Sequence, residues 1–387
     1  MATALGVLGF VVVAATTQWF GYRLWGTITV PVLAVYTLKN VVMLPVFVLS
    51  AAAAYAGLAV LKRRTLIYGR DELVAAILVG SLVPVGVLVV LSAGAGFEMR
   101  TVVFVGSILP GLAAYNVHQL KPEYRNRDLL ATVGLLAALL ALGWVLITPD
   151  IAASYGSLTP PVLFAETADV ARLKGATVAT PPEPPVLPRT VVVGVLAVGL
   201  FVAEALRSRF DVRVGVITAA LLALFALANA WFVALYATVY AVAFVVMEGL
   251  NWATLRYGRV LLGVGSAVAL LVAVPATLAM PIDRGLSAFF TAILAGVSAY
   301  NAHATAPREN RLVLPLQIAV FVPALLGVRL LSTPTPRGIP QALTPAVWIG
   351  AAVLVGMALL YARRHTVRQP DDEAVLAGSV LSEGEGT

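Results

Sequence analysis

VVMLPVFVLSAAAAYAGLAVLKRRTLIYGR, residues 41–70, decides the fold. Val41 to Leu61 is uncharged and of a length that crosses a bilayer, for which about 17 to 25 apolar residues suffice. Lys62, Arg63 and Arg64 follow at once, as expected where a span meets water. The closing TLIYGR then returns, almost letter for letter, as TLRYGR at Thr254 to Arg259.

The composition agrees with a membrane reading along the whole chain. Hydrophobic residues make up 60% of the 387 residues, charged residues 12%, and the mean hydropathy is +0.94. These values lie outside the range of soluble globular domains. Zero cysteines exclude disulfides, thiolate catalysis, iron–sulfur ligation and thiolate zinc sites, and only His118, His303 and His365 offer imidazole. The net charge of +7 sits in short clusters between apolar runs rather than in one stripe, which argues against nucleic-acid binding. No phosphate loop, metal-ligand cluster or paired carboxylates stand out, so no cofactor is expected and no residue is assigned a catalytic role. The run that opens the chain lacks a basic leader and is predicted to be a first membrane helix rather than a cleaved signal.

Further spans are predicted at Ala2–Phe20, Leu73–Leu91, Thr101–His118, Leu129–Ile147, Thr190–Leu206, Ala230–Gly249, Val260–Leu278, Leu286–His303, Leu312–Leu331 and Pro345–Tyr361. Ile28–Leu38 and Val216–Leu227 are short for a span and either cross or form broken or re-entrant helices lodged against protein, in which case the N-terminus moves inside. If every segment crosses, 18 of the 26 Lys and Arg residues fall on one side, which the positive-inside rule makes cytoplasmic. The N-terminus is then external and the C-terminus cytoplasmic in a multi-pass plasma-membrane protein.

The returning hexapeptide belongs to a longer repetition. At an offset of 189, Gly26, Ile28, Thr29, Leu33, Ala34, Leu38 and Asn40 meet Gly215, Ile217, Thr218, Leu222, Ala223, Leu227 and Asn229. After a short contraction, AYNVH at Ala114–His118 meets AYNAH at Ala299–His303. Chance similarity of apolar helices gives matches at Ala, Val and Leu, not at Tyr, Asn, His and Arg. The chain therefore reads as a tandem duplication: an all-α, polytopic protein of two parallel repeats, each of about six membrane segments, plus a final helix. The predicted organisation is a first repeat at 1–147, a Pro-rich external linker at 148–189, a second, degenerate repeat at 190–331, a last helix at 332–364 and a disordered cytoplasmic tail at 365–387. The linker prolines favour an extended, poorly packed segment with a short surface helix near Phe164–Leu173.

The repeated polar words carry the candidate contacts. Tyr68 and Arg70, with Tyr257 and Arg259, suit carboxylate or phosphate recognition by a guanidinium beside a phenol, or else simple anchoring of a span at the interface. Asn116 and His118, with Asn301 and His303, suit a polar pair at the mouth of a substrate path, or a helix C-terminus whose His favours the dipole. Pro31, Pro110 and Gly111 are predicted to shape the path by breaking helices within the membrane. Glu204 and Glu248 are further acids within or beside apolar segments.

The order of Val30–Pro31, Tyr68–Arg70 and Pro110–Ala113, spread over Phe20–Ile147, resembles the PgsC/CapC membrane subunit of poly-gamma-glutamate synthesis. That resemblance implies a non-catalytic membrane subunit of a capsule-like polyanion synthesis and export complex. It implies as partners the polyglutamate chain and a cytoplasmic ATP-dependent Mur-ligase-like subunit of the CapB/PgsB type. The rival readings are a self-sufficient secondary transporter for a small anionic solute and a membrane scaffold for a peptide-bond enzyme.

Overall fold

The computed structural model describes residues 1–65, 67, 69–95, 108–179, 189–210, 212, 214–305 and 307–366. The candidate Tyr68, the start of the predicted Thr101–His118 span, the TPPEPPVLP stretch and the tail beyond residue 366 lie outside these. Among the described residues the elements are helical, with one isolated parallel bridge between Ala165 and Val178.

The helices are α1 (Ala2–Phe20), α2 (Thr29–Lys39), α3 (Met43–Arg64), α4 (Arg70–Ala95), α5 (Ile108–His118), α6 (Pro122–Leu146), α7 (Pro149–Tyr155) and α8 (Asp169–Leu173). They continue with α9 (Arg189–Phe210), α10 (Val216–Ala228), α11 (Trp231–Thr254), α12 (Arg259–Ala279), α13 (Gly285–His303), α14 (Pro307–Leu331) and α15 (Pro345–His365). Local chemistry sets several ends. Gly21 closes α1 with φ 69°, and Thr344 caps α15 through its side chain with Pro345 in the first turn. Lys62, Arg63 and Arg64 end α3, and Arg363, Arg364 and His365 end α15, where positive charge opposes the helix dipole.

Among the described residues eight helices are long and apolar enough to cross a membrane, α1, α3, α6, α11, α12, α13, α15 and most of α14. Their outer faces remain apolar, as Leu130, Val145, Val245 and Ile349 illustrate. The protein is a membrane protein, and those faces suit lipid. Two short helices behave differently. The 11 residues of α2 reach only about 16 Å at 1.5 Å per residue, about half of a hydrocarbon core. Every residue of α2 is buried, and so are nearly all of α10.

Helix pairing repeats along the chain. α3, α4 and α5 pack together, as do α11, α12 and α13; α2 packs on α6, as α10 packs on α14. The halves meet crosswise, with α1 against α12 and α4 against α9.

The segment after α6 differs from the sequence expectation. Residues 148–179 are folded into the protein rather than poorly packed: Leu163, Phe164, Ala168, Val170 and Ala176 are buried in the main core. The expectation weighed the prolines and underweighted the apolar side chains between them. Asp169, at the start of α8, accepts a hydrogen bond from the backbone N–H of Val41 at 2.9 Å, which ties this segment to the end of α2.

Candidate functional site

Polar side chains converge where α1 and α5 end and α2, α6 and α12 begin. The chain leaves α1 and turns through Leu24, Trp25 and Gly26, all three with positive φ, at 48°, 54° and 106°. Non-glycine residues avoid this region, and two in succession need outside support. Asp128 supplies it. Its Oδ1 accepts the backbone N–H groups of Arg23 at 2.5 Å and Leu24 at 3.1 Å, from a side chain that is 1% exposed. The Trp25 carbonyl in turn accepts from Thr29 Oγ1 at 3.0 Å and Asn116 Nδ2 at 3.3 Å. Gly26 cannot be replaced without conflict, because a β-carbon there would lie 2.7 Å from Asn116 Nδ2.

Asn116 joins the two halves. Its Nδ2 also donates to Leu112 O at 2.8 Å, and its Oδ1 accepts from Arg259 Nη2 at 3.0 Å. Arg259 is the last residue of the second TLxYGR, so the arginine of the later hexapeptide reaches the asparagine of the earlier AYNxH. Arg23, Asp128, Tyr115 and Tyr300 are the charged and phenolic neighbours that act electrostatically on its guanidinium. Arg259 Nη1 and Asp128 Oδ2 are both buried without a hydrogen-bond partner.

A second network lies in the first half alone. Glu72, 1% exposed, accepts from Lys62 Nζ at 2.9 Å and from Gln119 Nε2 at 2.9 Å. His118 stacks on Tyr55 with ring centroids 4.2 Å apart, and its Nε2 lies 3.0 Å from the Tyr55 carbonyl oxygen. Arg125 Nη1 donates to the Tyr55 hydroxyl at 3.1 Å. His118 thus closes a protein network rather than joining Asn116.

The remaining sequence candidates scatter. Arg70 opens α4. Tyr257 is 80% exposed beside α12, and Asn301 is half-buried near the end of α13. His303 Nδ1 lies 2.8 Å from Glu248 Oε1, pairing a candidate histidine with a membrane acid. Pro31 packs beside Gly9, and Gly111 lies so close to Ala76 and Ile77 that a β-carbon would collide with their backbone. Pro110 and Gly111 are both buried in α5, where they pack this helix on α4.

Sequence reasoning did not assign roles to Asp128, Trp25, Glu72 or Tyr55. For Asp128 a signal existed: an acid directly after the basic run Arg125–Arg127, at the mouth of a span, whose counterparts Leu312 and Val313 are apolar.

At the opposite end, an open cleft is lined by Met1, Tyr155, Phe164, Leu270, Thr277 and Phe289 among others, with no acidic or basic side chain. Among the described residues no three His, Asp or Glu side chains gather as a metal ion requires.

Residues 8–126 match the family described as Capsule biosynthesis CapC. The match spans α1 to the start of α6 and includes the 23–26 turn and Asn116. Neither the curated proteins nor the solved structures provide a match.

Proposed function

We propose that this chain, whose residues 8–126 match the capsule-biosynthesis CapC family, is the membrane subunit of a complex that makes and exports a polyanion, poly-gamma-glutamate. Peptide-bond formation then belongs to a separate cytoplasmic ATP-dependent ligase of the Mur type. The family match carries the reading. The basic end supports it: Arg23, Lys62, Arg63, Arg64, Arg125 and Arg259 lie around the turns where the polar networks sit, a charge pattern suited to an acidic polymer and an acidic docking partner. On this reading that end faces the cytoplasm.

The two halves are proposed to be copies of one unit. The reciprocal packing of α1 on α12 and α4 on α9 supports this, because each pair joins the first helix of one half to the fourth of the other. Asn116 and Arg259 make the central polar contact. Arg70, Tyr257, His118, Asn301 and His303 supply further contacts to polymer or partner at the same end, and Tyr68, outside the described residues, is proposed to join them.

The test is the glutamate content of acid-hydrolysed extracellular polymer from cells with and without the gene, at matched ligase expression. The reading expects polymeric glutamate to vanish on deletion and to return with the intact gene. Unchanged polymer after deletion overturns it.

A further inference from the structure

Two arginines from opposite halves of the chain reach the cluster around Asn116, Arg259 through its side chain and Arg23 through its backbone N–H on Asp128. Arg23 follows α1, and Arg259 opens α12. Both are half-buried, and the Arg23 charge acts on the Arg259 guanidinium, a repulsion that an anion in the cluster would offset. Asp128 does only part of that work. Its Oδ1 is taken by two backbone N–H groups, and its Oδ2 reaches no donor. The Arg23 side chain has no hydrogen-bond or ion-pair partner among the described residues. Arg259 is held at Nη2 by Asn116, while Nη1 keeps its protons unused.

The formal count is two arginines less one aspartate, an excess of one positive charge. One carboxylate group, planar and of single charge, matches both that excess and the guanidinium fork even when its molecule bears a second carboxylate outside the site, whereas a phosphate group at neutral pH brings nearer two charges. The turn at 23–26 also stands in an unfavourable backbone conformation at Leu24 and Trp25, and strain of this kind gathers where a ligand is gripped.

We propose that Arg23 and Arg259, oriented by Asn116 and the Asp128-anchored turn, form one carboxylate-binding site that neither half of the chain completes alone. This deepens the proposed function by naming where an acidic substrate or polymer group is held, and it rests on that reading. The second half carries no equal site: the residues matching Arg23 and Asp128 are Val212 and the apolar pair Leu312–Val313, all buried.

The test uses the full chain in lipid nanodiscs, with glutarate as the carboxylate probe and inorganic phosphate and chloride at matched ionic strength. Melting temperature is followed against probe concentration. A saturable rise with glutarate, weakened at least tenfold in Arg259→Gln and in Arg23→Gln, is expected. Arg23→Gln is the safer variant, because Asp128 holds the backbone of Arg23 and not its side chain. Arg259→Lys keeps a charge without the fork and should fall between. Arg337→Gln, at the opposite end beside Asp283, should bind as the parent does.

No saturable rise with glutarate overturns the proposal. So does an equal or larger rise with phosphate, or parental glutarate binding in both Arg23→Gln and Arg259→Lys. The two readings fail separately. Polymer lost on deletion without glutarate binding removes the site and leaves the function, and glutarate binding with polymer unchanged does the reverse.

Discussion

The two halves of the chain share words and helix pairings, yet their basic ends are built from opposite materials. In the first half, Glu72 gathers Lys62 and Gln119, and Asp128 holds the turn at 23–26. In the second half, the residue in register with Glu72 is Leu261, and the counterparts of the turn and of Asp128 lie in an apolar cluster with Val212, Val214, Leu312 and Val313. Gly26 has φ 106°, whereas its counterpart Gly215 has φ −75°. The first half holds a buried polar arrangement where the second has apolar packing. The polar network is thus built almost wholly from the first half, and the second contributes Arg259 to it.

Substitutions at matched positions sharpen this contrast, and the largest effect belongs to Asp128. Asp128→Ala leaves two backbone donors and a left-handed turn without an anchor, and should destabilise the protein by about 2 to 4 kcal/mol. Val313→Ala, its apolar counterpart, should lose about 1 to 2 kcal/mol, from transfer and cavity alone. Both are read from thermal unfolding in nanodiscs. Equal losses break the comparison.

Gly26→Ala comes next. It meets both an unfavourable φ and the Asn116 side chain, and should cost about 1 to 3 kcal/mol. Gly215→Ala has an ordinary φ and a nearest neighbour at 3.4 Å, in Thr218, and should change stability by under about 0.5 kcal/mol. A loss at Gly215 as large as that at Gly26 would show that the second half carries a turn of equal importance.

The smallest effect is expected at Glu248. Its pair with His303 is 49% exposed on the acid side, and exposed ion pairs contribute about 0 to 1 kcal/mol. Glu248→Gln should leave the melting temperature and the polymer output near parental values. A large fall in output would assign this pair a role in the polymer path.

Much of the architecture was legible in the sequence. Apolar runs of spanning length set the helices, and the short runs at 28–38 and 216–227 became helices enclosed by protein, as their length required. The repeated TLxYGR and AYNxH drew attention to Arg259 and Asn116. Their pairing was not legible, because spacing along the chain does not say which asparagine an arginine reaches once helices of different halves cross. Asp128 was overlooked because the turn it holds shows only one glycine, Gly26, while the strained positions are Leu24 and Trp25. The packing of residues 148–179 was missed because proline was read as excluding a core, although Leu163 and Phe164 bury fully against it.

Asn116 and Arg259 make the contact through which the two halves are proposed to share one site. The most direct measurement is a double-mutant cycle on Asn116→Ala and Arg259→Gln, read as unfolding free energy of the full chain in nanodiscs. The predicted result is coupling of about 1 kcal/mol or more, with the double variant little worse than the more damaging single one. Additive losses would contradict it, and would return each repeated motif to its own half.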